Sequence, residues 1–212
     1  MSQVTEVCHP VVQHHLTRLR DKSTSPVEFR LLINRLATVL AYEATKDLVT
    51  RATMIETPLT AMSGRTLAQS IGLVPILRAG LGMVEAALDL LPESEVWHLG
   101  LYRDEATAQP VEYYSKLPDS QPVDVALVLD PMLATGGSAT AALQALQTWG
   151  VTSLKLLSVI AARDGIDAVL SRFPTVQIYV CAIDAELNSR KFIVPGLGDA
   201  GDRTFNTLRQ IE

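Results

Sequence analysis

The chain is poor in cysteine, in histidine and in surplus positive charge, and each shortage closes off a class of function. Its two cysteines, Cys8 and Cys181, lie far apart in 212 residues. They fit a reduced compartment with inert thiols better than a disulfide framework. The four histidines, His9, His14, His15 and His98, have no metal-cage spacing and no paired cysteines to complete a site. Lys and Arg number 18 against 23 Asp and Glu, a formal charge of −5 with a pI near 5.4. That balance lacks the basic field nucleic acid requires, so an anionic ligand must be held by a few local groups.

Long apolar runs are missing too. The longest stretch without a charge, Pro131 to Leu154, has 24 residues, but it contains a proline, three glycines and several Ser, Thr and Gln. It fails the demand for about 20 predominantly apolar residues in a membrane span. The opening MSQVTEVCHP has no basic segment leading into an apolar run, so no secretory signal is expected and a cytoplasmic protein is the default. A G-x-S-x-G nucleophile elbow is absent, which leaves acyl-transfer hydrolysis without support.

What remains is a 48% hydrophobic, 19% charged chain, a folded composition. At roughly 100 to 200 residues per domain, residues 1–212 read as one domain. The first 50 residues read as helical: Phe29, Leu32, Ile33, Leu36, Val39 and Leu40 fall at helical spacing after Pro26 and Glu28. From residue 72 short apolar runs take over, Leu73 to Leu77, Val96 to Tyr102, Val125 to Leu129, Leu154 to Ala162 and Val176 to Ile183. Helix candidates at Leu81 to Leu91, Ala139 to Trp149 and Gly165 to Phe173 lie between them, the second closed by Gly150 as a left-handed cap. Apolar strands alternating with helices imply α/β architecture, a parallel sheet covered on both faces.

Each run ends directly in a charged residue: Arg78, Arg103, Asp130, Arg163 and Asp184. Open parallel sheets bind ligands outside the carboxyl ends of their strands, so these five should crowd one edge. For Arg163 and Asp184 the plain alternative, a strand end meeting water, stands beside the ligand reading.

Three segments carry the chemistry. Asp130, Pro131, Met132, Leu133, Ala134, Thr135, Gly136, Gly137 and Ser138 follow a buried run and open a helix. Paired glycines admit a ligand to the backbone, and hydroxyls at a helix amino terminus favour phosphate. A nucleoside-triphosphate loop would need a Lys that is not there. Asp130, at the strand tip, suits sugar hydroxyls, while a plain helix cap is the alternative. Val74-Pro-Ile-Leu-Arg-Ala-Gly-Leu-Gly82 repeats the strand, tight loop and helix, and Arg78 adds a forked donor for phosphate oxygens. Gly196-Leu-Gly-Asp-Ala-Gly201 matches a dinucleotide fingerprint by letters only, since no βαβ unit can follow before Glu212. Residues 193–207 instead offer backbone donors and acceptors able to read a flat polar ring. Arg103 opens a segment to Pro118, with Tyr113 and Tyr114, that reads as a projecting β-arm or lid.

Together with His9-Pro10 and Tyr42-Glu-Ala44, these motifs resemble the uracil phosphoribosyltransferase family over nearly the whole chain. The resemblance implies a type I phosphoribosyltransferase fold, a parallel sheet flanked by helices with a small hood. It implies that uracil and 5-phosphoribosyl 1-pyrophosphate give UMP and diphosphate, with Mg²⁺, in pyrimidine salvage. On that resemblance the segment Asp130 to Ser138 would hold the ribose 5-phosphate, and Arg78 and Arg103 the pyrophosphate. Backbone groups of Ile193, Gly198 and Ala200 would read uracil, and Asp199 would lie against the phosphoribosyl donor. No protein side chain is assigned as a metal ligand. The partners implied are the two substrates and further copies of the chain, as a homodimer or higher homo-oligomer in contact through the amino-terminal helix. GTP activates some members and is a candidate here, though the motifs themselves do not carry it. Phe192 stands where several relatives have Tyr, and residues 185–191 depart from the family's usual forms. Two rivals stay open: a ligand-sensing regulator on the same fold, and the same chemistry on another base.

Overall fold

The computed structural model describes residues 3–103, 110–115, 117–118 and 120–207, with the side chains of 101–103, 110–112 and 115 outside the description. A short strand β1 (Val4–Glu6) precedes helices α1 (Pro10–Arg20) and α2 (Pro26–Ala44). A hairpin follows, β2 (Thr50–Glu56) and β3 (Ala61–Leu67). Next come β4 (Ile71–Leu77), a 3₁₀ turn over Ala79–Met83, α3 (Val84–Leu90), β5 (Glu95–Val96), β6 (Leu99–Arg103) and β7 (Pro110–Ser115). The second half runs β8 (Val125–Leu129), β9 (Met132–Leu133), α4 (Gly137–Trp149), β10 (Ser153–Ala162), α5 (Arg163–Arg172) and β11 (Gln177–Asp184). It closes with β12 (Glu186–Leu187), β13 (Ile193–Val194) and α6 (Ala200–Phe205).

The main sheet has the order β1-β11-β10-β8-β4-β6-β7, with β5 beside β4 and β9 beside β10. Every pair in it is parallel except β6 with β7. The expected double cover is visible residue by residue. In β8, Leu127 and Leu129 pack with Phe29, Leu32, Leu36 and Leu40 of α2 on one face. Ala126 and Val128 pack with Ala139, Leu143 and Leu146 of α4 on the other. This two-residue alternation inside an unbroken apolar run is what burial on both faces demands. Helix α2 starts where Ser25 accepts from the Glu28 N–H, with Pro26 in its first turn, and α4 ends at Gly150 in the left-handed region, φ 113°.

Several expectations need adjusting. The run Val96 to Tyr102 is two strands, because the backbone leaves the β4 ladder after Trp97, whose ring stands edge-on to Trp149 with centroids 5.6 Å apart. The helix Leu81 to Leu91 begins as a 3₁₀ turn. A side chain at Gly80 would come within 2.3 Å of the Leu129 carbonyl oxygen, so the chain there is pressed against the tip of β8. Residues 50–67, inside no predicted element, form the β2–β3 hairpin, which pairs with no other strand among the described residues. The first 50 residues are two helices rather than one, with β1 extending the sheet through β11.

One charge lies deep inside. Lys155, 2% exposed in β10, donates to the Ala44 carbonyl at 2.6 Å and pairs with Asp47. It thereby satisfies a carbonyl at the end of α2. Burial pushes the Cys181 thiol up to about 12, so it carries no thiolate at neutral pH. None of the described helices is long and apolar enough to cross a membrane.

Candidate active site

Strand order places the site. From β4 the chain turns outward to β5 and β6, whereas from β8 it turns the other way to β10. The carboxyl ends of β4 and β8 therefore flank a topological switch point, where open α/β sheets bind ligands. Arg78 follows β4 and Asp130 follows β8. Both loops picked out in the sequence meet at this crevice.

The β8 loop is held hard against β10. Asp130 donates its N–H to Leu157 O, and Val159 and Ile160 both donate to Pro131 O, each at 3.1 Å. Asp130, Met132, Leu133, Ala134, Thr135, Gly136, Gly137, Ser138 and Ala139 line a pocket of about 80 Å³. Gly136 opens α4 at φ 78°, a conformation that side chains rarely adopt, and a Cβ there would lie 2.9 Å from Gly165 O. No side chain caps α4. Its first turn, Gly137 to Ala139, lines the pocket together with Thr135, and a helix amino terminus without a side-chain cap favours a phosphate.

Asp130 has its carboxyl pushed up to about 7 by desolvation, opposed by a 3.4 Å bond from the Met132 N–H. At neutral pH it is divided between acid and carboxylate. Among the described residues it is the one carboxyl lining this pocket.

The β4 loop reaches the chain's last loop. Arg78 pairs with Asp202 at 3.0 Å, and its side chain keeps 56% exposure. A Cβ on Gly201 would be 3.7 Å from the Arg78 guanidinium and 3.8 Å from Ala79. Asp202 is held below the usual carboxylate range, first by the Thr207 hydroxyl and then by Arg78. So exposed a pair is worth little, and Arg78 can exchange its carboxylate for a phosphate oxygen. The Leu77–Arg78 and Val194–Pro195 peptide bonds are cis.

The segment expected to read a ring begins as a small hood, β12 paired antiparallel with β13. Its turn is organised by Asn188, which accepts from the Arg190 and Phe192 N–H groups at 2.9 and 3.0 Å. The departures at 185–191 thus make a coherent turn, and Phe192 stands 43% exposed beyond it. Ile193 is buried in β13, Gly198 is exposed with φ 78°, and Ala200 is the buried first residue of α6. Asp199 caps that helix, accepting from the Asp202 N–H at 2.8 Å, a duty its position ahead of α6 explains. The strand before these glycines is the two-residue β13, paired antiparallel with β12, not the parallel strand of a βαβ unit that a dinucleotide fingerprint needs.

Of the five strand-end charges, Asp184 is taken up structurally: it is 7% exposed and bound by the Arg20 fork at 2.6 and 2.7 Å. Arg163 is the exposed first residue of α5. Arg103 ends β6, which puts its backbone at the same edge, and its side chain lies outside the described residues. So does part of the predicted arm, although β6 and β7 do form an antiparallel pair. Arg20 and Arg203 are both tied to the 193–207 loop; the sequence marks Arg203 only as close to that loop, with Asp199 and Asp202, and does not mark Arg20. For Arg20 the only signal was a place near an element end. Among the described residues no three His, Cys, Asp or Glu side chains gather to hold a metal.

Comparison with known proteins now bears on this geometry. A family model described as uracil phosphoribosyltransferase matches residues 6–207. A protein named uracil phosphoribosyltransferase from Roseiflexus castenholzii is 56% identical over 207 residues, 98% of this chain and all of that relative. One of the same name from Symbiobacterium thermophilum is 51% identical over 208 residues, with the same coverage. A solved structure of a protein from Aquifex aeolicus superposes with a TM-score of 0.90 at 36% identity, covering 95% of this chain and 97% of its own.

Proposed function

The chain belongs to the uracil phosphoribosyltransferase family, and from that premise we propose that this crevice transfers the phosphoribosyl group of 5-phosphoribosyl 1-pyrophosphate to N1 of uracil, releasing UMP and diphosphate. The observation carrying the reading is the convergence of the Arg78 loop, the Asp130 to Ser138 pocket and the 193–207 loop at one switch point. We take the described elements as a single catalytic unit.

The residues divide the substrate between them. The 5-phosphate sits on the amino terminus of α4, where N–H groups and the Thr135 and Ser138 hydroxyls replace its water. Asp130 accepts from the ribose hydroxyls, and Arg78, joined by Arg103, takes the pyrophosphate with a forked donor. Ile193, Gly198 and Ala200 offer backbone groups to the edge of uracil, with Asp199 beside the donor. Little covalent work falls to the protein. Holding N1 in line with the anomeric carbon supplies proximity, displacement proceeds with inversion, and the arginines stabilise the leaving group as its charge develops. A base loop built for a donor at N3 and an acceptor at O4 leaves buried groups unpaired against cytosine, a penalty of about 10⁴ or more.

Mg²⁺ would enter with the donor's pyrophosphate, and Asp130, which lines the pocket, is a carboxyl available to it. Bound so, it would neutralise charge on the departing diphosphate. UMP formation from uracil, donor and Mg²⁺ is the deciding assay, run with cytosine, hypoxanthine and orotate as competitors. Turnover should vanish with EDTA and return with Mg²⁺, and absence of UMP from folded protein would overturn the reading.

Assembly follows from another exposed element. Helix α2 buries eight residues in the core, but β2–β3 displays Met54 at 70%, Leu59 at 95%, and Ile55 and Met62 at 46% each. A lone two-stranded hairpin is marginal in water, and these side chains suit a second copy of the chain. Sedimentation should give a homodimer or larger assembly for the native protein, and a monomer for Met54→Asp combined with Leu59→Asp. An unchanged assembly would move the contact elsewhere. A cytoplasmic setting, a place in pyrimidine salvage and GTP as activator rest on the family resemblance alone.

A further inference from the structure

The loop that would receive uracil is fastened by an ion pair outside the crevice. Arg20, the last residue of α1, forks onto Asp184 at the end of β11, at 2.6 and 2.7 Å. The same guanidinium donates to Gly196 O at 2.8 Å, while Asp184 accepts from the Gly196 N–H at 3.0 Å. One residue of the base loop is thus gripped by both of its backbone polar groups. Next to it Leu197 O accepts from Arg203 at 2.8 Å, and Arg203 also donates to Leu19 O and Asp21 O at the end of α1 and stacks 4.3 Å from the Phe29 ring. Between Pro195 and Asp199, the described hydrogen bonds tying the loop backbone to other elements end on Arg20, Asp184 or Arg203.

We propose that the Arg20–Asp184 pair is a positioning device for the base: by fixing Gly196 it sets the aim of Gly198 to Ala200 at the pyrimidine. The proposal rests on the reading of residues 193–200 as the uracil loop. Two features separate it from a contribution to stability alone. The pair is the less exposed of the two at this end of the molecule, side chains 21% and 7% exposed against 56% and 33% for Arg78–Asp202, so water screens it less. The donor-binding loop is also anchored independently, by Asp130, Val159 and Ile160 to β10 and Pro131. Losing Arg20 should therefore disturb the base far more than the donor, which the same loop reaches only through Asp199.

Arg20→Met and Arg20→Lys test this. Methionine keeps the stem but removes the fork. Lysine keeps the charge but cannot bind two carboxylate oxygens and a carbonyl in one plane. In the Met variant the uracil KM should rise about 10- to 100-fold, the loss expected from an ångström-scale misplacement remote from the chemistry, while the donor KM, touched only through Asp199, moves by no more than a few-fold. Amide exchange at Gly196 should quicken. Lysine should restore most of the melting temperature yet leave the uracil KM raised, a split no purely structural role produces. Should the Met variant not fold, the Lys variant decides alone. Parallel changes in both KM values, or an unchanged uracil KM with faster Gly196 exchange, would overturn the proposal. Native protein that makes no UMP would instead overturn the reading of the reaction, and is recognised before any variant is measured.

Discussion

Asp130→Asn should give a protein that is nearly inactive and, above neutral pH, more stable than the native one. On the activity side, the carboxylate is assigned two ribose hydroxyls, and each hydrogen bond to a charged group contributes about 1.5 to 3 kcal/mol. Their loss corresponds to a fall of about 10² to 10⁴ in kcat/KM for the donor. On the stability side, desolvation raises this carboxyl from 3.8 to about 7. The folded protein therefore holds a proton that the unfolded chain releases in between. Stability from this group is complete below pH 3.8 and declines as pH rises to about 7, beyond which the half-buried carboxylate is a standing penalty. The full shift corresponds to about 4 kcal/mol at most. Partial contact with the pocket's water reduces that, so a gain of about 1 to 3 kcal/mol at pH 8 is the expectation. Asparagine keeps an acceptor for the Met132 N–H, so no buried donor is orphaned. Thermal unfolding of both proteins at pH 4, pH 5.5 and pH 8 checks this: the curves should be close at pH 4, part by pH 5.5 and be furthest apart at pH 8. The same carboxyl should govern donor capture, with kcat/KM for the native protein rising through about pH 7. A variant less stable at pH 8, or a flat profile between pH 6 and 8, would remove Asp130 from this role.

The contrast between Asp130 and Asp184 shows what could be read from the sequence. Both end apolar strands, and letters alone do not distinguish them. One lies beside a glycine loop and keeps its pocket, whereas the other is consumed by Arg20 from a helix 164 positions away. Local patterns were legible because local physics decides them: two-face burial in Val125–Leu129, the left-handed cap at Gly150, the loop from Asp130 to Ser138. Strand order was not legible, since it depends on which way each crossover turns, and so the switch point emerged only in three dimensions. The β2–β3 hairpin escaped for a different reason. Its exposed Met and Ile residues break the polar-out alternation that marks a half-buried strand. Lys155 was equally hidden, because nothing in an apolar run announces a carbonyl and a carboxylate waiting at the end of α2.

Gly136→Val should weaken donor binding about 100-fold while leaving the sheet intact. At φ 78° a residue with a side chain is strained by about 1 to 2 kcal/mol, and a branched one by more. Space compounds the strain, since the new Cβ would meet Gly165 O at 2.9 Å and Ala168 Cβ at 3.2 Å. Both belong to α5, which is packed against the sheet through Ile166 and Val169, so the loop must yield rather than the helix. The loop's anchors at Asp130 and Pro131 lie upstream and survive. Displacement therefore falls on Thr135 to Ser138, where N–H groups and hydroxyls must all point at one phosphate. A shift of about 1 Å there should raise the donor KM by about 100-fold and leave the uracil KM of any residual activity close to native. Unfolding free energy should fall by about 2 to 4 kcal/mol, within the range for strain at a special backbone position. Gly136→Ala, with the same Cβ and no branch, should show the same ordering with smaller losses. If donor KM survives in both variants while stability falls, the Asp130 to Ser138 loop is a structural turn and the phosphate is held elsewhere.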